Sequence, residues 1–174
     1  MLGGMHGTYE IVDDRSALTF ERRLAHSVER VWRAVTEPAE LAHWFPSVVR
    51  GDLTAGAPLT FEFPGGEMPT MQGEVIEVDP PRTLAFTWGD DVLRIELEGD
   101  DESCVLHFVV LFDDAERAAR DAAGWHVCLD RLQEHLGGAA TQAPDSEATP
   151  DWRAHYEEYQ RRGLPVGAPV PGDA

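Results

Sequence analysis

His126 is the side chain best placed for chemistry in this sequence. It follows Trp125 in the stretch GWHVCLDRLQEHL and should stand beside an apolar helical stripe. There it could donate a hydrogen bond, or act as general acid or base in a cyclisation or hydrolysis. The competing reading is a histidine on the helix flank, facing solvent or bonded to a carbonyl. His43, beside Trp44, carries the same two readings, while His107 alternates with Leu106 and Phe108 and should face away from any cavity. The seven histidines are scattered and none is paired at helical metal spacing. His126 and His135 lie nine apart, with no acidic residue aligned with both. No metal and no cofactor is therefore expected. Glu62, Glu74, Glu96 and Glu98 fall opposite the apolar faces of their strands, toward solvent, against a carboxylate-based hydrolase. The chain has no Gly-rich phosphate loop, G-x-S-x-G, H-E-x-x-H or C-x-x-C, so no catalytic residue is assigned.

What remains is an aromatic set: Trp44, Phe61, Phe63, Phe86, Trp88, Phe108 and Trp125, with Leu129 beside them. Either these residues fill a core, or they line an apolar pocket for a small hydrophobic molecule, with His126 as its polar contact. Trp32, on another helix, reads as core.

The element that must position them is the stretch from Asp113 to Gly138. Ala118, Ala122, Trp125, Leu129, Leu132 and Leu136 recur at steps of four and three, one face of a long helix. Asp113 is the expected cap and Gly137-Gly138 the stop. The stripe tapers from Ala to Trp and Leu, which leaves room beneath its first half.

Upstream, Thr8 to Val12 and Ala17 to Ala25 read as strands joined across Asp13-Asp14-Arg15, with Leu18, Phe20 and Arg22 on one face. A helix is expected from Ser27 to Thr36 and a shorter one from Ala39 to Phe45, closed by Pro46. From Val48 to Phe112 the period is two, with turn signals between about six antiparallel strands: Val48 to Leu53, then runs containing Leu59-Phe61-Phe63, Met71 to Val78, Leu84-Phe86-Trp88, Leu93-Ile95-Leu97 and Cys104 to Phe112. Pro64-Gly65-Gly66-Glu67 reads as a hairpin loop, Gly73 as a bulge or point of close approach, and Cys104 to Phe112 as a central strand or one covered on both sides. Strands, two helices, more strands and one long helix make an α+β layered fold.

The net charge of −18, with every basic residue an arginine, disfavours binding to phosphate backbones and anionic lipids, so neither nucleic acid nor membrane is an expected partner. No apolar run approaches a membrane span, and MLGGMHGTYE has no signal-peptide pattern, so a soluble, cytoplasmic protein is expected. Cys104 and Cys128 are expected as buried free thiols. The organisation expected is a domain over 8–138, a linker over 139–150, and a tail over 151–174 with a short helix presenting Trp152, Tyr156 and Tyr159, then a disordered end. That helix packs either on its own domain or on a partner subunit.

SVERVWRAVTEPAELAHWFP, GEVIEVDPPRTLAFTW and GWHVCLDRLQEHL, in that order, resemble the bacterial proteins related to the activator of Hsp90 ATPase, of the START-like (SRPBCC) superfamily. The resemblance covers roughly Thr8 to Leu136 and implies the helix-grip (START/Bet v 1-like) fold, a curved antiparallel sheet around the long C-terminal helix with a cavity between them. It implies less about activity, because the superfamily includes lipid and hormone carriers, polyketide cyclases, sequestering resistance proteins and co-chaperones. The eukaryotic co-chaperone has a further N-terminal domain not read here, so Hsp90 activation is not carried over. The expectation is a non-enzymatic protein that holds a small hydrophobic or aromatic molecule under the long helix. A cyclase or hydrolase using His126 is the second reading. A protein-interaction module is the third, with a possible homodimer through the tail or the Cys104–Phe112 strand.

Overall fold

The computed structural model describes residues 5–64, 68–142, 144 and 148–171. Two strands open the chain, β1 (Thr8–Val12) and β2 (Arg15–Leu24), joined by Asp13 and Asp14 at φ 49° and 65°. Both residues are left-handed, as a tight two-residue hairpin of native twist requires. Helix α1 (Val28–Thr36) follows, with the Ser27 hydroxyl accepting from Arg30 N–H at 3.1 Å, the expected cap. Helix α2 is only Pro38–Leu41, shorter than expected, and the chain runs on to Phe45 in tight turns. Pro38 has no N–H for the Ala34 carbonyl, and the Trp44 indole N–H donates there instead, at 2.9 Å.

Six strands come next: β3 (Val48–Arg50), β4 (Pro58–Glu62), β5 (Met71–Asp79), β6 (Thr83–Trp88), β7 (Asp91–Gly99) and β8 (Cys104–Phe112). They join β1 and β2 in one antiparallel sheet of order β1-β2-β8-β7-β6-β5-β4-β3. Strand β8 is thus interior, as its apolar faces require, and His107 sits on the face opposite buried Leu106 and Phe108. Strand β3 stops early because Gly51, at φ 127°, turns the chain away. Gly73 is a point of close approach: a Cβ there would lie 2.2 Å from the Thr87 carbonyl oxygen and 2.7 Å from the Phe61 ring. The bulge falls further along β5, between Val75 and Glu77. Of the loop expected at Pro64 to Glu67, residues 65–67 lie outside the described residues.

Helix α3 (Ala118–Leu136) follows a 3-10 turn over Ala115–Arg117. The cap belongs to Asp114, not Asp113: its side chain accepts from Glu116 N–H at 3.1 Å. Asp113 instead pairs with Arg15 at 2.7 Å. The other end closes as expected, since Gly138 is left-handed at φ 90° and Ala139 N–H returns to the Glu134 carbonyl at 3.0 Å. Arg117 locates this helix on the sheet by a two-pronged bond to buried Asp91, at 2.6 and 3.1 Å, and by a bond to Asp121 at 2.9 Å. The sheet grips α3, the helix-grip arrangement, with α1 and α2 closing one end.

Helix α4 (Pro150–Arg161) lies on the other side of α3, so α3 is sandwiched between the sheet and α4. Trp152, Tyr159 and Leu164 belong to the same core as the sheet. The end expected to be disordered is ordered through Pro171: the Pro165 carbonyl accepts from Ala119 N–H at 3.0 Å, and Ala168 N–H donates to Glu116 at 3.2 Å. The first turn of a helix has N–H groups without internal partners, and this segment supplies an acceptor for one of them.

Candidate functional site

Between the sheet and α3 the expected aromatic set does converge. Trp125 of α3 meets Phe108 of β8 at 5.1 Å between ring centroids and Trp88 of β6 at 6.0 Å. Trp88 also meets Phe61 at 4.7 Å and Phe63 at 5.7 Å, and Phe61 meets Phe86 at 5.9 Å. Phe45, the last residue of the expected short helix and part of its buried edge with Leu41 and Trp44, is at the centre. Its ring lies 5.0 Å from Trp88, 5.5 Å from Trp44, 5.9 Å from Trp125 and 6.1 Å from Phe86. Each such pair contributes about 0.5–1.5 kcal/mol beyond area burial. Trp44, Phe61, Phe86, Phe108, Trp125 and Leu129 are buried, whereas Trp88 and Phe63 are partly exposed at the rim.

The room is not where the taper of the helix put it. Ala118, Ala119, Ala122 and Ala123 are fully buried. A small apolar cavity lies instead under α1 and α2, bounded by Val35, Leu41, Trp44, Phe45, Leu59 and Phe86, among others. Its volume is about 10 Å³, room for about one water. Every residue around it is apolar. The wall on this side is thin in hydrogen bonds, since β3 pairs with β4 over three residues and β4 with β5 over four.

Helix α2 is tied over the cavity by a polar cluster. Glu40 pairs with His135 of α3 and, at 3.3 Å, with Arg30 of α1. Burial pushes the Glu40 carboxyl up, but the bonds and charges of His135 and Arg30 outweigh it and hold it below the usual range. His43 stacks on His135 at 4.2 Å and bonds the Thr141 carbonyl at 2.7 Å. It is therefore a tether rather than a cavity residue.

His126 is not in the aromatic set. It is 2% exposed and lies on the α4 side of α3, which corrects its expected place as the cavity's polar contact. Each helical residue turns about 100°, so the residue after Trp125 leaves the sheet-facing stripe, and α4 covers it there. Its Nδ1 is 2.8 Å from the Tyr159 hydroxyl, whose oxygen accepts from Gly7 N–H at 2.7 Å. Its ring stacks on His155 at 3.7 Å, and its Nε2 is 3.7 Å from Asp130. Burial, and then the neighbouring His155, pushes the His126 imidazole far down, so it is neutral. Burial raises Asp130, but the His155 hydrogen bond and the surrounding positive charge bring it below its ordinary value. His126, Asp130 and His155 bring three metal-ligating donor atoms within 4.8 Å of one another, against the expectation of no metal site. The available signal was the His126–Asp130 spacing of four together with Ala119 and Ala123 on the same flank. The remaining sequence expectation, free thiols, corresponds to Cys104 and Cys128, both buried, with burial pushing Cys128 up to about 12.

An antiparallel sheet gripping one long helix defines a helix-grip protein. The chain belongs to the family described as "Activator of Hsp90 ATPase homolog 1-like protein", whose model matches residues 25–137. Among solved structures, it is similar to a conserved protein of unknown function, EF2215, from Enterococcus faecalis, with 21% identity, 92% of each chain covered and a TM-score of 0.74. It is also similar to CalU16 from Micromonospora echinospora, with 20% identity over 90% of this chain and 92% of that one and a TM-score of 0.68. A protein from Bordetella parapertussis is 25% identical over 85% of this chain and 86% of that one, with a TM-score of 0.62. No curated protein matches the sequence. Among the described residues, no helix is long and apolar enough to cross a membrane.

Proposed function

We propose that this protein binds a small hydrophobic or aromatic molecule in the apolar interior between the sheet and its covering helices, and carries, senses or sequesters it without transforming it. The site is entered from the cavity under α1 and α2 and bordered by Trp125 of α3. The observation that carries this reading is Trp88. Its ring touches Phe45, Phe61, Phe63 and Trp125, yet it stays partly exposed. Trp88 thus stands at the rim of an aromatic core that is continuous, through Phe45 and Phe86, with the apolar cavity. Displacing Trp88 and Phe63 and easing the short β3–β4 ladder outward would enlarge that cavity at less expense than parting the interior strands. The apolar lining suits a ligand recognised by shape and aromatic contact rather than by charge. His126 faces α4, so the reading of a cyclase or hydrolase built on it loses its acid–base group.

Titration with a fluorescent naphthylamine probe tests the reading, alongside native and denatured masses of the freshly purified protein. The expected result is saturable binding that weakens at least about tenfold, or about 1.4 kcal/mol, in Trp88→Ala while circular dichroism is unchanged. Equal affinity in the variant would remove the site from this interior.

A further inference from the structure

Asp130 stands where α3 and α4 meet, with an imidazole at each carboxylate oxygen. His126 Nε2 lies 3.7 Å from Oδ1, and His155 Nε2 lies 3.3 Å from Oδ2. The three residues each offer one donor atom, all within 4.8 Å of one another. We infer that His126, Asp130 and His155 form a binding site for a zinc-like divalent cation that clamps α4 onto α3.

Two imidazoles and a carboxylate are a donor set that suits zinc and its first-row neighbours. His126 and Asp130, four residues apart, share one face of α3, and His155 comes from α4. An ion held by all three therefore adds a cross-link between two helices that already pack on each other through the His126–Tyr159 bond and the His126–His155 stack. Tetrahedral coordination at about 2.0–2.1 Å separates its donors by about 3.3 Å. His155 Nε2 and Asp130 Oδ2 already have that separation. The three donor atoms as a set lie within 4.8 Å, so the rest of the cluster must contract by up to about 1.5 Å to close on an ion. The two stacked rings, 20° from parallel, must also turn until both Nε2 lone pairs converge. The His155 side chain, 22% exposed, has the freedom to do so.

The surroundings fit this assignment. For His126 Nε2 to bind a metal, Nδ1 must carry the proton and donate it. Tyr159 Oη, 2.8 Å away, accepts it while also accepting from Gly7 N–H, using its two lone pairs. That bond orients the buried ring from behind, as outer-shell partners of ligating histidines do. Asp130 and His155 are partly exposed, which gives an ion access and leaves a fourth position for water. Asp130 brings a carboxylate to the cation, the buried Arg22 guanidinium is a cationic neighbour of both His126 and Asp130, and the chain as a whole carries a net charge of −18.

The test uses the full chain, stripped with a chelator and titrated with Zn2+ by calorimetry and with Co2+ by visible absorption. One ion per chain, intense tetrahedral Co2+ bands and a higher Tm with Zn2+ are expected. His155→Ala and Asp130→Asn, both at partly exposed positions, should each lose at least about tenfold in affinity and the Tm response. His43→Ala, in the other histidine cluster, should keep both. Circular dichroism establishes that each variant is folded, and either of the two site variants suffices to decide. Absence of one-to-one binding in the wild type would overturn the assignment, as would undiminished binding in a folded site variant or loss of binding in His43→Ala.

Discussion

The two sides of α3 are built on opposite principles. Toward the sheet, Trp125, Leu129 and Leu132 pack on Phe108 and its neighbours, and stability there comes from area and shape. Toward α4, His126, Asp130, His155 and Tyr159 form a polar network in which each buried group needs a particular partner. A side chain lost from the first side leaves a hole; a single atom lost from the second leaves a buried group unsatisfied. The helix can therefore hold an adaptable apolar interior on one side and a geometrically exacting cluster on the other. The proposed ligand site belongs to the first, and the hydrogen-bonded docking of the C-terminal helix to the second.

The largest effect should come from Trp125→Ala, which removes the ring that joins Phe45, Trp88 and Phe108. A loss of about 3–5 kcal/mol is expected in denaturant unfolding; a loss below about 1 kcal/mol would mean that the sheet side is not the main store of stability. Next is Tyr159→Phe, the removal of one oxygen. It leaves the buried Gly7 N–H without its acceptor and His126 Nδ1 without its partner, a loss of about 1–3 kcal/mol. Hydrogen exchange should rise in α4 while the β7–β8 core stays protected; a uniform rise would merge the two sides into one cooperative unit. Trp88→Ala should cost less than Trp125→Ala, about 1–2 kcal/mol, because the ring is only partly buried. Matching losses in unfolding experiments would mean that Trp88 is a core residue and no rim.

The smallest effect concerns pH. The folded-state pKa of Glu40 lies below its unfolded value, so its contribution is present above about pH 4.3 and is lost as pH falls through the folded value. Glu40→Gln should therefore flatten the fall in Tm between about pH 5 and 3, with a difference under about 1 kcal/mol for this partly exposed group. Parallel Tm curves for the two proteins would show that the tie of α2 to His135 does not titrate in that window.

The strands and the long helix were legible because alternation in Leu93-Ile95-Leu97 and the four-three steps from Ala118 to Leu136 each report burial on one face. Phe45 was harder to place, because its central position depends on how the turns after Leu41 swing it inward. The helix stripe also misled about empty space. Small side chains beneath a helix mean either a cavity or a close neighbour, and Ala118 and Ala122 of the stripe are fully buried within the packed core.

Sequence alone determined most of the elements, their order and the aromatic face, since these follow from local periodicity and turn residues within a few positions, while the helix-grip fold was implied by the resemblance of three motif stretches to a known family. Only the tertiary structure decided that His126 meets His155 and Tyr159 rather than the aromatic core. It likewise decided that the chain beyond Gly138 returns to cover α3. Contacts between residues some 30 positions apart depend on the path of the intervening chain, and periodicity carries no record of that path.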